Sequence, residues 1–150
     1  MELPTIDQVN TVMRASIPLV ESTRIEIVAL EPGYAKTTAP FEGNGNHLGT
    51  MYAGVLFTVA EVIGGVMAAV TFDMSRFLPV VKSMNIDFRR AARSDVFAEA
   101  RLDRETIDGA IAAADANGKA PYELRATVTD AGGETVATTV AQYQIRAHGS

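Results

Sequence analysis

A single carboxylate, that of Glu61, lies near the middle of a run of twenty residues, Ala53 to Phe72, that contains no other charged residue. A carboxylate in apolar surroundings is costly unless it is paired or neutralised, and this run offers no Lys or Arg as a local partner. Burial raises the pKa of a carboxyl group and suits it to act as a general base or nucleophile. A structural carboxylate, capped by backbone groups or touching water at a subunit interface, fits the same residue types. Both interpretations stay open at this point.

The apolar run around Glu61 has the length and composition of a long helix. Twenty residues span about 30 Å, which is enough to cross a membrane. However, a carboxylate at mid-span costs roughly 2.5–3.5 kcal/mol on insertion scales, and no cluster of Lys or Arg flanks the run. Gly54, Gly64 and Gly65 also suit close packing in a protein interior. We therefore expect a core helix, apolar on every side and enclosed by sheet, with no membrane as a partner.

The segments on either side of this helix read as strands and short helices. Thr5 and Gln8 have the spacing of a capping box, which predicts a short amphipathic helix that ends or bends at Pro18. Alternating, β-branched residues predict a hairpin next. The further predicted elements are strands at 24–30, 34–40, 80–90 and 95–102, an Ala-rich helix at 105–119, and two strands around the turn "DAGG" at 130–133. One long helix among antiparallel strands is an α+β layout.

Composition limits the functions to consider. A chain of 150 residues, 47% hydrophobic and 21% charged, predicts a single globular domain over 1–150. The formal net charge of −5 argues against nucleic acid as a partner, because phosphates need a basic face. With no Cys and two His, we expect neither a metal nor a cofactor. The start "MELPTIDQVN" lacks the basic residues and apolar core of a signal peptide, so the expected location is the cytoplasm.

The stretch "NHLGTMYAGVLFTVAE" (46–61) resembles the signature of hotdog-fold acyl-CoA thioesterases of the PaaI type. That signature runs Asn, a Gly-Thr pair, His-Gly-Gly-x-Leu-Phe, and an acidic residue fifteen positions after the Asn. Asn46 and Glu61 have this separation here. The other matching residues are Gly49, Thr50, Gly54, Leu56 and Phe57. "VVKSMNIDFRRAAR" and "DAGGETVATTVAQYQI" resemble the family's next strand and closing hairpin. The insertion at 105–119 resembles the branch typified by the C-terminal domain of YiiD.

The resemblance implies a hotdog fold, in which an antiparallel sheet wraps around one long helix, and hydrolysis of acyl-CoA thioesters. The backbone N–H of Ala53 would stabilise the oxyanion, since helix N-termini favour negative charge. Glu61 would activate water or attack the thioester directly. In the family, the Asn loop of one subunit faces the acidic residue of its partner. Asn46 would therefore act across the interface of a homodimer, and two such dimers could form a tetramer.

Further residues are expected at the substrate site. Tyr52 stands where the family has its histidine, and it would either contact substrate or serve only core packing. Thr58, three residues before Glu61, is placed to hydrogen-bond the carboxylate or is neutral helix filler. Arg90 would meet coenzyme A phosphates or be a solvated strand end. The residues expected to bind substrate are Tyr52, Gly54, Thr58, Val81, Ser83 and Arg90.

A second function stays open from the sequence. The chain would then be a non-catalytic module that binds acyl-CoA or acyl chains, which Tyr52 in place of the histidine favours. A hotdog hydratase or dehydratase is disfavoured. Those enzymes carry an Asp or a backbone-held His on the loop before the central helix, whereas no acidic residue lies between Gly43 and Glu61 here. His47, in that polar loop, is interpreted as a solvated surface residue.

Overall fold

The structure is a computed structural model that describes residues 2–150. The elements in chain order are α1 (Ile6–Ser16), α2 (Pro18–Thr23), β1 (Glu26–Glu31), β2 (Tyr34–Ala39), α3 (Ala53–Thr71), β3 (Phe77–Phe88), β4 (Val96–Arg101), α4 (Arg104–Asn117), β5 (Lys119–Asp130) and β6 (Thr135–Ala147). Every element predicted from the sequence is present, with bounds shifted by at most a few residues. The short helix α2 is an addition.

The strands form one antiparallel sheet in the order β1-β2-β4-β5-β6-β3. The helix α3 packs against one face of this sheet and contacts every strand. The predicted α+β hotdog fold, an antiparallel sheet around one long helix, is therefore confirmed.

The first helix closes one edge of the sheet. At its start, the Thr5 hydroxyl accepts the Gln8 N–H at 3.2 Å and the Gln8 side chain accepts the Thr5 N–H at 2.8 Å. The helix ends before Pro18, which begins α2, so the predicted bend is confirmed. Asn10 is buried, and its amide forms hydrogen bonds of 2.7 and 2.9 Å with the backbone of Ile27 on β1. Within residues 2–150, the outer edge of β3 has no such partner.

The helix α3 forms the centre of the core. Twelve of its nineteen residues are buried, and Val59 and Ile63 are fully enclosed. It is long and apolar enough to cross a membrane, but 67% of the residues in its most apolar stretch of 18 residues are buried inside the protein. Burial against a sheet is the behaviour of a core helix in a soluble domain, as the sequence predicted.

Aromatic rings fill the space between α3 and the long strands. Tyr122 and Tyr143 stack with their ring centroids 5.6 Å apart, and Phe72 lies 5.4 Å from Tyr122. The Tyr143 ring approaches α3 at Gly64, where a Cβ atom would collide with its hydroxyl group. A glycine is therefore required at this position for the helix to approach the sheet.

Candidate active site

Glu61 lies on a stripe of α3 that the sheet leaves open. Residues at four-residue intervals along the helix, Phe57, Gly65 and Ala69, are exposed, whereas most of their neighbours are buried. Positions four apart lie one above another on a helix, so these residues form one continuous line. The expected helix, enclosed on every side, is thus a helix with one open face. Sequence patterning missed this face because Glu61 is its only polar residue, and Phe, Gly and Ala carry no signal of exposure.

The carboxylate of Glu61 is half-buried and unpaired. Among residues 2–150, nothing donates a hydrogen bond to its side chain, and no cation forms an ion pair with it. Desolvation alone raises the pKa of Glu61 above its ordinary value. A raised pKa without a neutralising partner makes a stronger base. The structural interpretation, a carboxylate capped by backbone groups, finds no capping group in this subunit.

The start of α3 presents unsatisfied backbone donors. Tyr52 is the N-cap residue, but its side chain makes no capping hydrogen bond. Its carbonyl accepts the N–H groups of Val55 and Leu56 at 3.0 and 3.3 Å. The N–H groups of Ala53 and Gly54 find no acceptor in the described chain. Two free N–H groups at the positive end of a helix dipole can stabilise a negatively charged oxygen.

A pocket of about 340 Å³ opens in front of these donors. It is formed by the loop before α3, the first turn of α3 and the segment that follows β3. The lining residues include Asn46, Thr50, Ala53, Leu56, Phe88 and Arg90. Asn46 and Ala53, both predicted from the stretch 46–61, therefore line one pocket together with Arg90, which was predicted from a later segment.

Asn46 is largely occupied in shaping its own loop. Its side-chain oxygen accepts the N–H groups of Leu48 at 2.9 Å and Thr50 at 3.1 Å. Its side-chain nitrogen donates to the Thr50 hydroxyl at 3.0 Å. An amide nitrogen carries two hydrogens, so one donor of Asn46 is left over. The side chain thus holds the turn, and one N–H remains to contact something else.

Gly54 and Thr58 shape the first turns of α3. A Cβ atom at residue 54 would lie 2.6 Å from the ring of Tyr52, which is itself 57% exposed and so serves no core packing. The Thr58 hydroxyl is buried and donates to the Gly54 carbonyl at 2.7 Å. The hydrogen bond predicted between Thr58 and Glu61 is not formed, because a hydroxyl has one proton and the carbonyl four residues earlier takes it.

The residues predicted on β3 separate onto two faces. Val81 pairs with Tyr143, which lies under α3, and Val81 is 43% exposed at the sheet edge. A bulge at Lys82 shifts the register, so Ser83 pairs with the exposed Gln142. Ser83 therefore lies on the opposite face of the strand from Val81, because the bulge breaks the two-residue alternation, and we do not retain it as a substrate contact.

Arg90 lies at the mouth of the pocket rather than in its depth. Its guanidinium is exposed and forms an ion pair of 3.2 Å with Glu134. An exposed pair of this kind contributes little to stability, so the guanidinium can turn to an anionic ligand at small cost. Both interpretations of Arg90 made from the sequence, a solvated strand end and a phosphate contact, are compatible with this position.

One subunit does not bring all the expected groups together. Glu61 follows Ala53 by eight residues, which places it about 12 Å further along the helix axis. The pocket at the helix start does not include Glu61 or Val81 among its lining residues. The free N–H groups and the unpaired carboxylate therefore lie at separate places on the surface of one subunit.

Two residues near the site were not predicted. Phe88 lines the pocket and is 53% exposed. The Tyr143 hydroxyl donates to the backbone carbonyl of Glu61 at 3.3 Å. Burial, and then the nearby Glu61 charge, raises the pKa of Tyr143, so its hydroxyl stays a donor. Gly64 was the available signal for Tyr143, because a glycine inside a helix is unfavourable unless something large packs against it.

The family described as a domain of unknown function, DUF4442, matches residues 6–145. No protein of curated function matches the chain. The crystal structure of PA5026 from Pseudomonas aeruginosa, described as a protein of unknown function and probable thioesterase, is 43% identical in sequence. It has a TM-score of 0.90, and the match covers 99% of each chain.

Two more distant structures share the fold. The protein OLEI01261 from Chlorobaculum tepidum, described as having unknown function, is 20% identical with a TM-score of 0.80, over 95% of this chain and 96% of that one. HI1161 from Haemophilus influenzae, described as a thioesterase, is 18% identical with a TM-score of 0.77, over 99% of this chain and 95% of that one.

Proposed function

The chain belongs to the DUF4442 family, and we propose that it is a thioesterase that hydrolyses acyl-CoA. PA5026, which shares 43% of its residues over nearly the whole length, carries the description of a probable thioesterase. The observation that carries the proposal is the unpaired, half-buried carboxylate of Glu61 on the open face of α3. The helix also begins with two unsatisfied N–H groups, so each subunit carries both kinds of group needed for acyl transfer to water.

In the proposed reaction, the thioester carbonyl oxygen accepts a hydrogen bond from the Ala53 N–H. Glu61 removes a proton from a water molecule, whose oxygen attacks the carbonyl carbon. The carbon–sulfur bond then breaks, and the thiolate takes the proton back from Glu61, leaving a carboxylic acid and a free thiol. Direct attack by the Glu61 carboxylate, with hydrolysis of the resulting anhydride, uses the same groups. Loss of one oxyanion donor typically costs about 10²–10³ in rate.

The distance of about 12 Å along α3 between Ala53 and Glu61 means that one thioester cannot use both groups of one subunit. We propose a homodimer in which the free edges of β3 pair. A two-fold axis there would set the start of one α3 near Glu61 of the partner subunit. The remaining N–H of Asn46 would then orient the attacking water or that carboxylate. A tetramer of two such dimers is a further proposal.

Of the expected substrate contacts, we retain Tyr52, Gly54, Val81 and Arg90. Tyr52 immediately precedes the two donors and Gly54 carries one of them, and Arg90 is placed to meet a phosphate at the pocket mouth. Thr58 is assigned a supporting role, because its hydroxyl is bonded within the helix. We also propose that residues 1–150 form a single domain and that the protein acts in the cytoplasm.

A thiol-release assay over a panel of acyl-CoA thioesters, from short to long and aromatic, tests the proposal. We expect thiol to appear with at least one class of acyl group and the rate to scale with enzyme concentration. Tight binding without release across the whole panel would instead support a non-catalytic acyl-CoA binding module. Tyr52 in place of the histidine, and the lack of any group that orients the Glu61 carboxylate within one subunit, favour that second candidate.

A further inference from the structure

No close contact among residues 2–150 requires a glycine at position 65. Gly65 follows Glu61 by one helical turn on the open stripe of α3. A glycine inside a helix is unfavourable relative to Ala, and at Gly64 the neighbouring Tyr143 ring explains the choice. At Gly65, an added Cβ atom would meet nothing within 4 Å. The missing side chain therefore keeps a space open rather than allowing a contact in the subunit.

That space is a groove between α1 and the C-terminal half of α3, here called the α1–α3 groove. Its volume is about 280 Å³, and its surface is almost wholly apolar. The walls are formed by Val9, Val12 and Met13 of α1 and by Gly65, Val66 and Ala69 of α3. Gln8 lies at the rim, but its side chain is engaged in the capping box with Thr5. The groove thus fits a ligand segment that has no hydrogen-bonding groups.

Glu61 does not line the groove itself, but it precedes Gly65 by one helical turn on the same stripe, so the stripe leads from the carboxylate to the groove. From Glu61 through Gly65 to Ala69, the open stripe runs for eight residues, or about 12 Å. Carbon–carbon bonds of about 1.52 Å with angles near 111° advance an extended alkyl chain by about 1.25 Å each. About ten carbons therefore cover the distance from the carboxylate to the end of the groove.

We propose that the α1–α3 groove holds the alkyl chain of the acyl group, so that the preferred substrates are straight, saturated thioesters of about ten carbons. This inference rests on the proposed function for its orientation, because Glu61 would stand at the carbonyl end of the chain. Each methylene that enters the groove is expected to strengthen binding by about fourfold. An aromatic acyl group is too short and too wide to follow the stripe to Ala69.

Binding of S-alkyl coenzyme A thioethers, which cannot be hydrolysed, tests the groove independently of turnover. Isothermal titration compares S-decyl and S-ethyl coenzyme A on the wild type and on Gly65→Leu, whose side chain would fill the groove. Gly109→Leu is the matched control, because Gly109 is also an exposed helical glycine with nothing within 4 Å of an added Cβ, but it lies on α4. Val12→Asp, a change in the opposite wall at a residue that is 60% exposed, is a second variant that does not alter α3.

We expect the wild type and Gly109→Leu to bind the decyl thioether at least a hundredfold more tightly than the ethyl one. Gly65→Leu and Val12→Asp should each lose at least tenfold in decyl affinity and keep their ethyl affinity within about twofold. Equal decyl affinity of Gly65→Leu and the wild type would overturn the inference. So would a change of oligomeric state in Gly65→Leu by sedimentation, which would make the groove a subunit contact. Thiol release is measured separately, so chain selection without turnover would refute the hydrolase and leave the groove intact.

Discussion

The Glu61 carboxylate, unlike several other carboxylates of this chain, has no hydrogen-bond or ion-pair partner among residues 2–150. Three other carboxyl groups accept hydrogen bonds that lower their pKa values. Asp73 accepts from Ser75 in a turn, and Asp103 accepts from Thr106 at the start of α4. Glu123 accepts from Gln142 on the neighbouring strand. The pKa of Glu61 moves in the opposite direction, and burial is the cause. Hydrogen bonds stabilise the charged form of those three carboxylates, whereas burial without a partner destabilises the charged form of Glu61.

The raised pKa of Glu61 makes a prediction about stability. When a carboxyl group has a higher pKa in the folded protein than in the unfolded chain, it favours folding at pH values below the unfolded-chain pKa of about 4.3. This stabilisation is lost as the pH rises through the pKa of the group in the folded protein. We expect Glu61→Gln to raise the melting temperature at pH 8 and to have less effect at pH 4. Glu21→Gln, at an exposed position, should change neither. Thermal unfolding at both pH values measures the difference, and a lower melting temperature of Glu61→Gln at pH 8 would show that the carboxylate has a structural partner.

The two asparagines of the loop before α3 form a natural comparison. Asn44 is buried, and its amide donates to the carbonyls of Thr23 and Pro40, both at 2.8 Å. We expect Asn44→Ala to cost about 1–3 kcal/mol of stability, because it leaves buried carbonyls unpaired. Asn46→Ala should cost less stability, about 0.5–1 kcal/mol, and yet lower kcat at least tenfold. Denaturant unfolding and steady-state kinetics separate the two effects. An Asn46→Ala variant with full activity per folded molecule would restrict Asn46 to holding its turn.

At the scale of helices and strands, the sequence predicted the order of elements because each has a strong local signal. The capping box at Thr5, the proline that ends α1 and the alternation of the strands all act within a few residues. The open stripe of α3 and the bulge at Lys82 depend on what packs from far along the chain. Asn46, Ala53 and Arg90 line one pocket in the structure, but their roles stay predictions, and the face on which Ser83 lies depends on that bulge.

The sheet edges differ in a way that predicts which strand pairs between subunits. Asn10 occupies the backbone of β1 at Ile27, whereas β3 is twelve residues long and has an open edge. We expect Val81→Lys, which puts a charge on that edge, to shift the protein toward monomer and to lower activity in parallel. Val28→Lys is the control, since Val28 is 41% exposed on β1 and Val81 is 43% exposed on β3. Light scattering at micromolar concentration measures the mass. A wild type that is already a monodisperse monomer would contradict the edge pairing and the shared site.

At the scale of the whole molecule, the proposed reaction needs two chains, because Ala53 and Glu61 lie about 12 Å apart along one helix. If Asn46 serves Glu61 of the partner subunit, Asn46→Ala and Glu61→Gln chains, each with at most about a tenth of wild-type kcat, should complement each other when they are unfolded together and refolded as a mixture. Half of the dimers would then be mixed, and each would contain one intact site, so about a quarter of wild-type activity should return. Each variant refolded alone is the control. No gain on mixing would mean that the two residues do not act across an interface.

The proposed reaction depends on the Glu61 carboxylate, and the rate of thiol release by Glu61→Gln measures that dependence. The amide keeps the size and hydrogen bonding of the side chain but cannot act as a base. We predict a loss of at least about a hundredfold in kcat, with the fold, the oligomeric state and the binding of S-decyl coenzyme A retained. The wild-type rate should also fall as pH drops through the raised pKa of Glu61. Wild-type turnover by a folded Glu61→Gln variant at neutral pH would exclude Glu61 as the catalytic base or nucleophile.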